Sequence, residues 1–318
     1  MPAVVEIESL TKDYEVGFWR KRKVRALDGL TLAVERGEIL GFLGANGAGK
    51  TTTLKLLMRL IYPTAGRAAI LGRSIEEISM HARIGYLPEQ PYFYDYLTAR
   101  EFLEYCAEIF GYPQSARRER ARAMLERVRL DEKSWDKQLR KFSKGMLQRV
   151  GLAQAIINDP EILFLDEPMS GLDPIGRREV RDLIASLRAS GVTVFLCSHI
   201  LADIEILCDR AAILQRGRLA HLGRLEDLRQ RGGDRAMEII TSDADARQIE
   251  RALVSLETAH ITATPGGVRI EVASEREIDT ALAAVRACGA RLVSIQPVGN
   301  ALEDLFVRKE GPESTGSV

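Results

Sequence analysis

Gly44-Ala45-Asn46-Gly47-Ala48-Gly49-Lys50-Thr51 has the spacing GxxxxGK[ST], and what flanks it decides what it means. Before it, Glu38 to Leu43 form a short apolar run that reads as a buried strand. After it, Leu54, Leu56, Leu57, Met58, Leu60 and Ile61 recur as a buried helix that stops at Pro63. Strand, glycine-rich turn and helix in that order form a phosphate cradle. The glycines let backbone N–H groups wrap around the β- and γ-phosphates, and the helix N-terminus adds its dipole. Lys50 supplies a point charge and Thr51 offers its hydroxyl to Mg2+. The loop implies a nucleoside triphosphate and leaves the family open.

Further along, Ile162 to Leu165 is a continuous apolar strand bounded by Pro160 and Asp166, the pattern of a strand covered on both faces of a parallel sheet. The fold class is therefore α/β. Asp166 and Glu167 stand at the carboxyl end of this strand, where ligands of open α/β sheets bind. Asp166 suits holding Mg2+ through water, and Glu167 suits polarising the attacking water. Asp173 and Pro174 read as a helix N-cap and first helical residue. Val180, Leu183, Ile184 and Leu187 then repeat at helical spacing until Gly191, and Val192 to Cys197 form the next strand. Between the two halves, roughly Pro91 to Arg140 is rich in Arg, Glu, Tyr and Leu and poor in β-branched residues. It predicts a helical insertion, with the helical subdomain reaching about residue 150.

A polar, Gly-containing stretch at Arg231 to Asp234 marks a boundary between a first domain of residues 1–230 and a second of residues 235–310. The second domain predicts a strand at Met237–Ile240, a helix at Asp243–Leu256, and a hairpin of Ile261–Thr264 and Val268–Val272. A capping box of Ser274 and Glu277 is then expected to open a helix carrying Ile278, Leu282 and Val285, before a strand at Leu292–Ile295. The order βαββαβ is that of a small α+β, ferredoxin-like unit. A short helix at Asn300–Arg308 and a flexible tail at residues 311–318 complete the expectation.

Lys plus Arg and Asp plus Glu both number 45, so no global field of one sign holds the chain on nucleic acid or anionic lipid. No apolar run approaches the ~20 residues needed to span a bilayer, and no basic-then-apolar leader opens the sequence. A cytosolic chain is expected. Cys106, Cys197, Cys208 and Cys288 are scattered without a CxxC pair and read as reduced thiols. The basic run Arg20-Lys21-Arg22-Lys23, after Phe18 and Trp19, reads as a solvated hairpin or as a contact for lipid headgroups or a partner.

Three further motifs occur in order with the loop and the acidic pair: Phe142-Ser143-Lys144-Gly145-Met146-Leu147-Gln148-Arg149, Pro168-Met169-Ser170-Gly171-Leu172-Asp173, and Ser198-His199. With these the chain resembles the ABC (ATP-binding cassette) ATPase family over about Val4 to Leu228. The resemblance implies a P-loop NTPase cassette with a helical subdomain. It also implies ATP binding by residues Gly44, Ala45, Asn46, Gly47, Ala48, Gly49, Lys50, Thr51 and Thr52, with Tyr14 stacked on adenine. Ser143, Lys144, Gly145 and Met146 look like the family signature, which reaches the γ-phosphate bound to the opposite protomer. Asp173 would couple the two sites, and Glu167 with His199 would be catalytic. Mg2+ would lie with Thr51, Asp166 and the Q-loop ligand, for which Ile84-Gly85-Tyr86-Leu87-Pro88-Glu89-Gln90 offers either Glu89 or Gln90. The sequence departs from the family pattern at Lys144, Met146, Gly171 and Glu89, where Gly, Gln, Ala and Gln are usual.

By resemblance, the chain is the ATP-hydrolysing motor subunit of a membrane transporter, an exporter rather than an importer. It works as a homodimer or heterodimer of cassettes on the inner face of the membrane, beneath separate permease subunits. The alternative, a soluble family member acting on ribosomes or DNA, usually carries two cassettes in one chain or long coiled coils, and neither feature is in the sequence. A non-catalytic sensor is disfavoured by the presence of Lys50, Asp166, Glu167 and His199 together. No nucleic-acid partner is expected. The second domain is similar to regulatory or dimer-supporting units appended to some bacterial and archaeal transporter ATPases, including the ending Leu302-Glu303-Asp304-Leu305-Phe306.

Overall fold

The structure, a computed structural model, describes residues 3–17, 21–230, 236–254, 256 and 258–297. The chain divides between Leu225 and Glu226 into two compact units. That break precedes the polar stretch Arg231–Asp234, which lies outside the described residues, as do the expected Asn300–Arg308 helix, its Leu302–Phe306 ending and the 311–318 tail.

In the first unit, β1 (Ala3–Val16), β2 (Arg22–Glu35), β4 (Ala65–Ile70) and β5 (Arg73–Ser74) pair antiparallel in the order β2-β1-β4-β5. The site-bearing sheet has six strands: β3 (Ile39–Leu43), β6 (Ile84–Leu87), β7 (Ile162–Asp166), β8 (Thr193–Ser198), β9 (Arg210–Gln215) and β10 (Arg218–Arg224). Their order is β10-β9-β3-β8-β7-β6, parallel except for the β10-β9 pair. Every residue of β3, β7 and β8 is buried, which is why these strands read as unbroken apolar runs. Phe42, Phe164 and Phe195 stack through the centre, with ring centroids 5.1 Å and 5.6 Å apart from Phe195.

The helix α1 (Lys50–Leu57) starts where Gly49 takes φ 109°, and it ends well before Pro63 because Arg59 is left-handed at φ 54°. The insertion is helical as expected: α2 (Ala99–Ile109), α3 (Gln114–Arg127) and α4 (Lys144–Ala155). Asp173 caps α5 (Pro174–Ala189) by accepting the Gly176 N–H at 2.9 Å. A short α6 (Leu201–Leu207) follows β8, and α7 (Leu225–Gln230) straddles the unit boundary. Arg22 and Lys23 lie on β2 opposite Val16 and Glu15, so the described part of the basic run belongs to an antiparallel hairpin.

The second unit holds β11 (Met237–Ser242), α8 (Ala246–Ala252), β12 (His260–Thr264), β13 (Gly267–Val272), α9 (Ile278–Ala287) and β14 (Arg291–Pro297). Its strands are antiparallel in the order β12-β13-β11-β14, which makes βαββαβ a single sheet with its own core around Ile239, Ile249, Ile270 and Val285. Two sequence expectations need correction. The helix expected from Asp243 starts later, because Asp243 is left-handed at φ 56° and Asp245 is the cap, accepting from the Arg247 N–H. The Ser274/Glu277 capping box does not form. The Glu277 carboxylate instead accepts the Ala273 N–H at 3.0 Å and the Thr258 hydroxyl at 3.0 Å. Of the four cysteines, all unpaired, Cys106 and Cys197 are buried and Cys208 and Cys288 half-buried.

The seating of α4 on β6 depends on two glycines. A Cβ on Gly85 would lie 2.0 Å from the Ala155 carbonyl oxygen, and one on Gly151 would lie 2.8 Å from a Leu87 methyl. Gly85→Ala should therefore force strand and helix apart, at a cost of about 1–3 kcal/mol or more. Urea unfolding should show the lowered midpoint. An unchanged midpoint would mean that the close approach is not needed.

Candidate active site

The ends of β3, β7 and β8 converge on one cavity of about 420 Å³, lined by Asn46, Lys50, Thr51, Glu89, Glu167 and His199 among others. The loop from Gly44 to Thr51 turns tightly because Gly47 and Gly49 are left-handed, at φ 81° and 109°. A Cβ on Gly49 would sit 2.7 Å from the Ala26 carbonyl oxygen, so only glycine fits both the angle and the space. Lys50 is only 6% exposed; its Nζ donates to the Gly44 carbonyl at 2.6 Å and lies 3.6 Å from Glu167 Oε1.

Asp166 is fully buried, and its Oδ2 accepts the Thr51 hydroxyl at 2.8 Å. Its Oδ1 is buried without a hydrogen-bond partner. Burial pushes the Asp166 carboxyl above its ordinary range, opposed by the Thr51 hydrogen bond and reinforced by the nearby charges of Glu167 and Glu89. An orphaned carboxylate oxygen beside a threonine hydroxyl fits a hard divalent cation. Mg2+ takes one or two carboxylates and completes its shell with phosphates and water, so no cluster of three acidic or imidazole ligands is required. None exists among the described residues.

Glu167 has φ 51°, a left-handed angle uncommon for a non-glycine residue, and its carboxylate is 9% exposed. Its Oε1 lies 2.9 Å from His199 Nδ1, so His199 at the end of β8 is held against the acid by geometry and not by sequence proximity. Glu89 lines the cavity; Gln90 and Tyr14 are not among its lining residues. Tyr14 sits on β1 with the Lys12 ammonium 5.2 Å from its ring centroid. Ser143 caps α4 by accepting the Met146 N–H, and both Ser143 and Lys144 are exposed, outside the cavity. Ala26 also lines the cavity, and an alanine in a half-exposed strand leaves no sequence signal that would have found it.

The family profile described as ABC transporter matches residues 27–170. An uncharacterised ABC transporter ATP-binding protein of Synechocystis sp. is 44% identical over 96% of this chain and 84% of its own length. This chain belongs to the ABC transporter ATP-binding protein family. The bacitracin transport ATP-binding protein BcrA of Bacillus licheniformis is 43% identical over 69% of each chain. The dimeric post-hydrolysis structure of the cassette MJ0796 with ADP and Pi is similar at a TM-score of 0.64 and 27% identity. It covers 70% of this chain and 98% of that one. The chain is accordingly a nucleotide-binding ABC ATPase.

Two of this cassette's departures from the family pattern touch each other. Gly171 is left-handed at φ 71°, and a Cβ there would lie 2.7 Å from Lys144 Cδ, Cε and Nζ. The longer signature side chain therefore occupies the space that the smaller residue leaves.

The raised Asp166 pKa has a definite sign. The neutral acid is favoured by the nucleotide-free fold, so its contribution to stability is complete below the unfolded-state value and lost as pH rises through the folded one. Asp166→Asn, which can keep an acceptor for Thr51 without the charge, should melt above the native chain at neutral pH without Mg-ATP. The difference should vanish toward about pH 4. If Asp166 helps to hold the metal of Mg-ATP, the order should reverse with that ligand, because only the native site would then bind it tightly. Equal melting at every pH would show that the buried charge carries no penalty.

Proposed function

We propose that this ATPase is the motor of a membrane export complex, in which two cassettes, identical or paired with a second kind, close on Mg-ATP beneath separate permease subunits. The observation that carries this reading is the separation of Ser143 from the cavity holding Lys50 and Glu167. The exposed N-terminus of the twelve-residue α4 presents backbone N–H groups to solvent, as an anion site on a second chain would require. Transport is supported by the naming of relatives such as BcrA for bacitracin transport. No described helix is long and apolar enough to cross a membrane; in this reading separate permease subunits form the path for the transported substance. Leu60, Ile78, Tyr92, Ile109 and Phe110 are exposed apolar side chains of the first unit and suit a permease contact that holds the chain at the inner membrane face.

Bound nucleotide would change the charge balance. Lys50 now leans on two loop carbonyls and on Glu167; a β/γ-phosphate would draw it away and leave the Glu167 carboxylate to accept the proton of the attacking water. His199, already against Glu167, would meet the γ-phosphate on the other side. Mg2+ would be held by Thr51, Asp166 and, of the two Q-loop candidates, Glu89, and would neutralise charge on the phosphates. We read the second unit as a separately folding regulatory or dimer-supporting domain, since it has its own core.

Glu167→Gln tests the assignment. Turnover should fall by at least ~10²-fold while ATP still binds, because the change removes the base and leaves the cradle. Near-normal phosphate release would refute the role given to Glu167.

A further inference from the structure

Glu167 is held in an unfavourable backbone conformation, and such strain persists only where neighbours over-determine it. Its N–H donates to the Cys197 carbonyl on β8 at 3.0 Å, and its own carbonyl accepts the Ser170 N–H at 3.0 Å. A third restraint comes from α4. Gln148, 4% exposed on α4, donates from Nε2 to the Pro168 carbonyl at 2.8 Å. A buried polar amide costs desolvation unless its bonds are made, and this one is spent on the residue next to the strained acid.

We propose that Gln148 is a positioning residue for Glu167: its hydrogen bond to the Pro168 carbonyl fixes the strained turn that aims the Glu167 carboxylate. The bond also ties that carboxylate to the helix whose first turn is capped by Ser143, so a shift of α4 reaches the base through one side chain. Gln148 itself is not among the residues that line the cavity. The inference rests on Glu167 being the base, and the test separates the two claims.

Gln148→Leu removes the donor at similar size, and Gln148→Glu restores a donor only when its carboxyl is protonated. Gln148→Leu should lower kcat about 10- to 100-fold, with KM for ATP within about threefold, because aim is lost and binding is not. Gln148→Glu should recover a growing fraction of wild-type kcat as pH falls from about 8 to about 6, since burial raises the new carboxyl's pKa. In the Glu167→Gln background, where there is no base to aim, adding Gln148→Leu should cost less than about twofold more. Losses that multiply across the two positions, or a raised KM at unchanged kcat, would overturn the positioning role alone. Near-normal turnover in Glu167→Gln would overturn the base and the positioning role together. If Gln148→Leu does not fold, the pH series of Gln148→Glu decides: a ratio to wild type that does not change with pH overturns the proposal.

Discussion

A lysine ammonium with 6% exposure cannot be left unbalanced, and the site is arranged around that constraint. Lys50 reaches the Gly44 and Ala45 carbonyls and the Glu167 carboxylate, while Asp166, one strand-end away, carries an unsatisfied oxygen and a raised pKa. Two buried carboxylates beside one buried cation leave an Asp166 oxygen without a partner, which the divalent ion proposed for this site would satisfy. The parallel strands β3, β7 and β8 make this possible, because they deliver the loop, both acids and His199 to one edge of a rigid sheet.

The parts of this arrangement that backbone chemistry dictates were legible in the sequence. The loop, the buried strand before Asp166, the Asp173 cap and the βαββαβ order each follow from local spacing and are found in place. The antiparallel sheet leaves no such local trace, and the reason is physical. In β1 the alternation of Val5 and Ile7 breaks at a register shift before Leu10, where Ser9 turns left-handed at φ 48°. Long-range choices were equally hidden. Nothing in Glu89-Gln90 tells which side chain faces the cavity, and nothing near Gln148 announces a bond to a carbonyl twenty residues away.

The departures from the family pattern gain meaning once contacts are known. Lys144 and Gly171 lie far apart in sequence yet share one volume, so neither is read correctly alone. Arg149, on the same helix, donates to the Val128 carbonyl and pairs with Glu179 of α5, which Asp173 caps. The helix that begins at Ser143 is thus bound to the loop carrying Glu167 and to the helix begun by Asp173. Such a helix is built to pass a small displacement in either direction.

If, as proposed, a complete site takes the cradle of one chain and the Ser143 helix of another, mixed dimers should restore it. Lys50→Ala keeps the signature without a cradle, and Ser143→Arg keeps the cradle but places bulk and charge where the partner's γ-phosphate would lie. Each variant alone should be nearly inactive. Co-expressed, about half of the dimers are mixed and each holds one intact site of two, so turnover should rise to roughly a quarter of wild type. Turnover no higher than that of the separate variants, in preparations proven to contain mixed dimers, would contradict the account.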